Sequence, residues 1–526
     1  MQLAKRIYCL RTENGLSREK LAEILGVSKQ AVQKWESGKS TPGMDKLIKL
    51  SQQFRVSLDS LICDTNVRIA ENEQKPDAVT PDYASIANWE AYSKNLSLEI
   101  EQSTDEGLDV ERFRDVFRAV EKMDDGPEKD QMANVLFSII GSAKMKNDYP
   151  YVEPSDIQNI RLCRKEHLYK GKKPSGSVLE EKIRGAWYGR MGGCLLGKTV
   201  ECMTTDELIP MLTETGNYPM KRYIRRSDIT DEMLKKYRFN LKWSCYADKV
   251  KCAPADDDTN YTVLAQTVIE KYGKDFKPDN VGSTWLAMQP KDAYCTAERV
   301  AYRNLVNGFR PPNTAIYKNP YREWIGAQIR ADYYGYINPG NPQLAAEMAW
   351  RDASISHIKN GIYGAMFVAA MLACAAVSSD VKEVILCGLG EIPQQSRLHQ
   401  RVSEVLGRFE SGERCDKVMA YVHQLFNEYS SHGWCHTISN AMIVTAALLY
   451  GGGDYGKSIC LAVQTGFDTD CNGATVGSIV GMMYGISRIG REWTAPLGDR
   501  LDTHIFGHEN VKTEDLIKKT LEHISK

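Results

Sequence analysis

The chain has 526 residues, of which 42% are hydrophobic and 26% charged, and a net charge of −1. That composition is typical of globular proteins and excludes disordered, fibrous and collagen-like classes; the length exceeds one ordinary core and implies roughly three domains. The charge is uneven, because residues 1–62 hold eleven Lys or Arg against six Asp or Glu, a net of +5, which leaves −6 for the remainder.

The longest apolar runs, 362–377 and 438–450, fall short of the roughly 18 residues that suggest a membrane span and are interrupted by small residues, so they read as core helices. The N-terminus enters an amphipathic helix directly and lacks the apolar segment and cleavage site of a signal peptide, which implies a cytoplasmic protein with no membrane partner. The 14 cysteines show no Cys-x-x-Cys pair, so neither a zinc module nor a disulfide framework is indicated.

In the basic head, Leu16, Leu21, Leu25, Val27, Val32 and Trp35 lie at helical spacings around Gly26-Val27-Ser28. Glycine permits the sharp turn and Ser28 caps the next helix. On that second helix Lys29, Gln30, Gln33 and Lys34 are placed to reach bases and phosphates, and Arg18 suits a backbone phosphate. The stretch from Ser17 through Gly26-Val27-Ser28 to Trp35-Glu36 and Gly38, with Pro42 and Leu47 following, resembles the Cro/C1 (XRE) helix-turn-helix regulators. The resemblance implies a five-helix-type domain over 1–62 that binds double-stranded DNA, and a homodimer if it reads two half-sites. A helical protein-interaction module with the same core is the alternative. Residues 63–82 are polar and read as a linker. Over 83–148 two apolar stripes return, Val110, Phe113, Val116, Phe117, Val120 and then Met132, Val135, Leu136, Ile139, broken at Asp124-Asp125-Gly126-Pro127; they predict a helical connector, either a dimerisation piece or a spacer.

The body, 149–526, opens on a helix in which Gly185, Gly189, Gly193 and Gly197 recur every four residues, ending at Glu201. The same period recurs at Gly473, Gly477, Gly481 and Gly485. Glycine costs helix stability, so the repetition needs a packing reason, and close contact of the two ladders brings Glu201 near Asp468 and Asp470. Residues 192–199 satisfy the phosphate-loop expression, but a phosphate loop must follow a buried strand, and the preceding residues read as helix. The most strand-like run, 381–387, is followed by Gly388 rather than by an acidic magnesium ligand.

Two acidic clusters stand out: Asp256-Asp257-Asp258-Thr259 and Asp468-Thr469-Asp470. Carboxylates crowded this tightly repel unless a cation or proton neutralises them, so the pair suggests one shared hard-metal site. A pair of solvated helix caps is the bland alternative. His432, His436 and Asn440 recur at helical spacing with no carboxylate at the offset a zinc triad needs, and read as structural.

These elements, with Gly326 to Arg330, His357 and Gly466-Phe467-Asp468-Thr469-Asp470-Cys471-Asn472, resemble the ADP-ribosylglycohydrolase family over roughly residues 150–505. The resemblance implies an all-α architecture, a large orthogonal helical bundle behind the head and connector. It also implies two divalent cations, Mg²⁺ or Mn²⁺, and cleavage of an N- or O-glycosidic bond to ADP-ribose. It assigns Asp257 and Asp258, then Asp468 and Asp470, as metal ligands, with Asp256 joining them. Glu201 becomes the general acid or base, with Asp257 or Asp470 as alternatives; Gly326, Ala327 and His357 contact ADP-ribose, and Arg330 has a structural or phosphate-facing place. Asp256 and Cys471 stand where the family has metal-binding threonines; a thiol is a poor magnesium ligand, which leaves the metal open. The expected protein is therefore a DNA-bound hydrolase of ADP-ribosyl linkages. The alternatives are a transcription regulator whose body senses ADP-ribose or a related nucleotide, and a structural DNA-binding protein.

Overall fold

A computed structural model describes residues 2–56, 61, 82–165, 167, 171–242 and 244–526. The expected linker over 63–82 lies outside these residues except for Asp82, as does most of any fifth head helix. The chain divides into two compact units, Met1–Asp82 and Tyr83–Lys526.

The first unit holds helices Gln2–Glu13, Arg18–Leu25, Lys29–Glu36 and Met44–Phe54. Ser17 and Ser28 cap the second and third by accepting the amides of Lys20 and Ala31, and Gly26 supplies the left-handed turn between them at φ 64°. The apolar faces close over Leu21, Leu25, Val32, Trp35, Leu47 and Leu50. Glu36, 2% exposed, holds both Arg11 (2.5 Å) and Arg18 (2.6 Å), so the carboxylate ties the recognition helix to the two helices before it.

Among the described residues the second unit is helical apart from one antiparallel pair, Arg500–Asp502 with Asn510–Lys512. Its first part has helices Leu96–Asp105, Arg114–Glu121 and Pro127–Ser142 around Leu96, Ile100, Val110, Phe117 and Leu136. The expected stripes need correction here: Val116, Met132 and Val135 are exposed, and the buried face runs through Phe117, Val120, Ala133, Leu136 and Ile140. A helix advances about 100° per residue, so an apolar residue next to the stripe can fall outside it. This segment is bound to the rest of the unit through buried charges. Arg322 meets Glu99 (2.9 Å) and Glu106 (2.5 Å), Lys359 meets Glu106 (2.8 Å), and Gln102 donates to Glu323 (2.7 Å). Removing one partner strands the other in a low-dielectric interior, so the network fixes the docking geometry even where it adds little net stability.

Both long apolar runs are core helices, Lys359–Ala375 and Thr437–Gly451, buried over almost their whole length. The strand-like run is also a helix, Val381–Leu389; Asp380 caps it by accepting the amides of Lys382 and Glu383, and its apolar face packs on helix Lys359–Ala375. Local cap chemistry and tertiary burial override a short apolar run that carries no strand register. The phosphate-loop expression falls inside the continuous helix Gly176–Lys198, where its amides are taken up by the helix.

That helix crosses helix Thr469–Tyr484 through the two glycine ladders. A β-carbon on Gly189 would lie 2.2 Å from the Gly477 carbonyl oxygen, and one on Gly193 would lie 1.9 Å from that of Gly473. At Gly197 it would meet the Thr469 backbone at 2.2 Å. Backbone thus packs directly on backbone, and Thr469 Oγ1 donates to the Gly197 carbonyl (2.9 Å) to lock the register.

Candidate metal centre

The ladder carries the end of the first long helix, Lys198 to Glu201, onto the start of the second. Asp468 occupies the N-cap of helix Thr469–Tyr484, and Asp256 caps helix Asp257–Tyr272 by accepting the Asp258 amide (2.9 Å). Two helix N-termini therefore face one place, and their partial positive charge favours carboxylates there. Asp258 joins the clusters: ligand atoms of Asp256, Asp257 and Asp258 lie within 4.8 Å of one another, and so do those of Asp258, Asp470 and Cys471. The turn before Asp468 is unusual, with Gly466 at φ 79° and Phe467, a residue with a side chain, at φ 58°. Asn440 holds this turn by accepting the Asp468 amide (3.3 Å) and the Asn472 side chain (2.7 Å).

Asp258 is oriented by Arg190, which donates to its carboxylate (3.0 Å) and its carbonyl (2.8 Å) and pairs with Asp332 (2.9 Å). Its second carboxylate oxygen is buried and, among the described residues, has no hydrogen-bond partner. An orphaned buried acceptor is costly. Such an oxygen, among carboxylates from two helix starts, is the donor chemistry that a hard divalent cation satisfies.

Burial and crowding push most carboxyls of the centre upward. Burial, then neighbouring carboxylates, raise Asp257 and Asp468 well above the ordinary carboxyl range; burial also raises Asp258, although Arg190 opposes it. Asp470 is raised by burial and by Asp256, and its Oδ1 accepts the Cys471 amide (3.0 Å). Glu201 is pushed to about 10, first by the charge on Asp470 and then by burial. Asp256 goes the other way, held low by Lys198 against the cost of burial. Glu201 and Asp257 are only partly covered, whereas Asp256, Asp258, Asp468 and Asp470 are buried, so the first two form the accessible edge.

The remaining expected site residues are buried. Gly326 and Ala327 are buried in the short helix Gly326–Ile329, with Glu298 packed against Gly326. Glu298 bonds Arg330, which also pairs with Asp352 (2.5 Å). His357 is fully buried, shares a hydrogen bond with Ser356 (2.8 Å), and is held neutral by burial and the Arg330 charge. Cys471 is buried and its thiol is raised by burial, so it is a protonated, weak donor.

Sequence reasoning missed Arg190, Lys198, Glu298 and Asp332. Arg190 alone left a trace, as a charge inside a glycine-rich apolar helix, where an unpaired guanidinium is prohibitive. A second correction concerns His432 and His436, which do gain a carboxylate neighbour: Asp105, distant in sequence, lies 3.0 Å from His432 Nε2. The set is still a poor chelate. Trp324 Nε1 donates to Nδ1 of His432 (3.1 Å) and the Ile438 amide to Nδ1 of His436 (3.1 Å), so each Nδ1 is an acceptor and the ring proton is left to the Nε2 that a metal would need.

An all-helical unit with a carboxylate centre at two helix starts defines the class, and comparison gives the family. Residues 175–522 match the ADP-ribosylglycohydrolase family and residues 9–61 match the helix-turn-helix family. The chain belongs to the ADP-ribosylglycohydrolase family and carries a helix-turn-helix DNA-binding domain ahead of it. The head is similar to the HTH-type transcriptional activator BcrR of Enterococcus faecalis, at 40% identity over 76 residues, covering 14% of this chain and 37% of that protein. It is also similar to the SPbeta prophage-derived uncharacterized HTH-type transcriptional regulator YonR of Bacillus subtilis (strain 168), at 35% over 69 residues, covering 13% of this chain and 64% of that protein. The chain thus spans only 37% and 64% of the length of these relatives. A solved ADP-ribosylglycohydrolase-related protein complex aligns at 16% identity and a TM-score of 0.42, covering 66% of this chain and 99% of that one. Among the described residues no helix is long and apolar enough to cross a membrane.

Proposed function

We propose that the chain is a cytoplasmic, metal-dependent hydrolase of N- or O-glycosidic bonds to ADP-ribose, placed on specific DNA by its head. The observation that carries the reading is that Asp258, which keeps a buried unpaired oxygen, groups both with Asp256 and Asp257 and with Asp470 and Cys471. Asp257, Asp258, Asp468 and Asp470 are the residues that would hold Mg²⁺ or Mn²⁺, and the protonated thiol of Cys471 is a weak ligand for either. When bound, the cation supplies positive charge that orients ribose hydroxyls and steadies developing charge at the sugar. Glu201, on the accessible edge beside Asp470, is the carboxyl that would deliver a proton to the leaving group and afterwards accept one from water. Arg190 keeps Asp258 aimed inward, and Arg330 with Glu298 supports the Gly326 turn that would face the diphosphate.

The test is release of free ADP-ribose from a panel of ADP-ribosylated proteins, nucleic acids and small acceptors with Mn²⁺ or Mg²⁺. No release across the panel, with DNA binding that responds to ADP-ribose, would instead establish the sensor reading, which the replacement of two threonines by Asp256 and Cys471 favours.

Metal should also stabilise the fold in a pH-dependent way. Asp257, Asp258, Asp468 and Asp470 have raised folded values, so their contribution is fully present below the ordinary carboxyl range and is lost as pH rises through the folded values. The bare centre is then most destabilising at high pH, where it also binds cations best. Differential scanning fluorimetry should show a larger Mn²⁺-induced rise in Tm at pH 8 than at pH 5. At a hundredfold excess over Kd the gain is about 2.7 kcal/mol. An equal rise at both pH values would count against carboxylate ligation.

In the head, Lys29, Gln30, Gln33 and Lys34 are all exposed on the recognition helix, although Lys29 pairs with Glu19 and Arg18 with Glu36. On an operator selected from random DNA, Gln33→Ala should cost about 1–3 kcal/mol and relax one base position. Lys34→Ala should instead lower the salt slope of binding by about 1. Fluorescence anisotropy at several salt concentrations separates the two.

A further inference from the structure

Lys198 is the last residue of the long glycine-laddered helix, and its ammonium lies 2.5 Å from Asp256 Oδ2. The pair is enclosed, with the lysine side chain 26% exposed and the aspartate 2%. The lysine cannot drift far, because Gly197 beside it packs on the Thr469 backbone, and the helix C-terminus it occupies favours a cation. Asp256 is fully engaged: Oδ1 accepts the Asp258 amide (2.9 Å) and Oδ2 takes the ammonium. Asp258, by contrast, keeps a free buried oxygen. An ammonium and a divalent ion competing for the same aspartate in a poorly screened site repel each other strongly. The carboxylate at position 256 and the positive charge that answers it belong together.

We propose that the Lys198 ammonium is a built-in cation that occupies the Asp256 side of the centre, so that the protein takes a single divalent ion, on the Asp258 and Asp470 side. This rests on the reading of the centre as metal-binding and departs from the two cations that the resemblance implies. The consequence is a centre with one exchangeable metal and one fixed charge, in which removing the lysine opens a second metal position.

The experiment is titration of metal-stripped full-length protein with Mn²⁺ by isothermal calorimetry, with the electron paramagnetic resonance spectrum recorded at saturation. Wild-type protein should bind one ion and give the six-line signal of isolated Mn²⁺. Lys198→Met should bind two and show the broadened signal of a spin-coupled pair, while Lys198→Arg stays at one. Two ions in the wild type overturn the inference and leave the hydrolase reading standing. No ion in the wild type removes the metal-binding reading and the inference with it. One ion in both wild type and a folded Lys198→Met, checked by circular dichroism, overturns the role given to the lysine. If Lys198→Met does not fold, the wild-type count and spectrum still decide between one ion and two.

Discussion

Glu201→Gln is expected to lower kcat for ADP-ribose release by about 10²–10⁴-fold, the range that loss of one positioned proton carrier commands. Gln keeps the size of Glu201 and its capacity to donate a hydrogen bond, while removing the proton it would deliver. The substitution leaves Asp257, Asp258, Asp468 and Asp470 in place, so the Mn²⁺-induced rise in Tm should persist. Rate and thermal shift measured on one preparation therefore separate proton transfer from metal binding. A fall in both would make Glu201 a ligand, and a fall in neither would pass the proton to Asp257, the other carboxyl on the accessible edge. The pH profile adds a check: with Glu201 as general acid the rate falls as pH rises through its folded value, and Glu201→Gln should abolish that limb.

The second large effect lies away from the chemistry. Gly193→Ala places a β-carbon 1.9 Å from the Gly473 carbonyl oxygen, a backbone atom that cannot rotate away. The helices must separate or bend, at a cost of about 3 kcal/mol or more, the upper end of overpacking. Because the same crossing carries Glu201 and Lys198 to Asp470, spreading it also pulls the acidic clusters apart. Denaturant unfolding of the second unit should shift to lower midpoint, and Mn²⁺ should restore less of it than in the wild type. The first unit, which has its own core, should keep its DNA affinity. By contrast Gly407→Ala, at a helical glycine with nothing within 4 Å of the added carbon, should be neutral or slightly stabilising.

The two acidic clusters and the two ladders could be read from the chain because each is a local or strictly periodic pattern. Four glycines at intervals of four put one bare stripe on a helix whatever else surrounds it, and adjacent aspartates announce their repulsion in the sequence itself. The helix-turn-helix was legible for the same reason: its caps, turn glycine and apolar spacings lie within one short stretch. Amphipathic faces were read less well, as Val116, Met132 and Val135 show, because apolar residues bordering a stripe are indistinguishable from members of it until a partner surface is known.

What only the tertiary structure decided is the pairing of charges between distant segments. Lys198 with Asp256, Arg190 with Asp258 and Asp332, Arg322 with Glu99 and Glu106, and Asp105 with His432 have no periodicity that links them in sequence. Each group alone is an ordinary Lys, Arg, His, Asp or Glu. Its partner is fixed by where the packed helices put it, and burial makes that choice consequential, because a charge taken from water must be answered within a few ångströms. The sequence by itself determined which groups are present and which helices carry them; the crossing of the glycine ladders decided which of those groups meet.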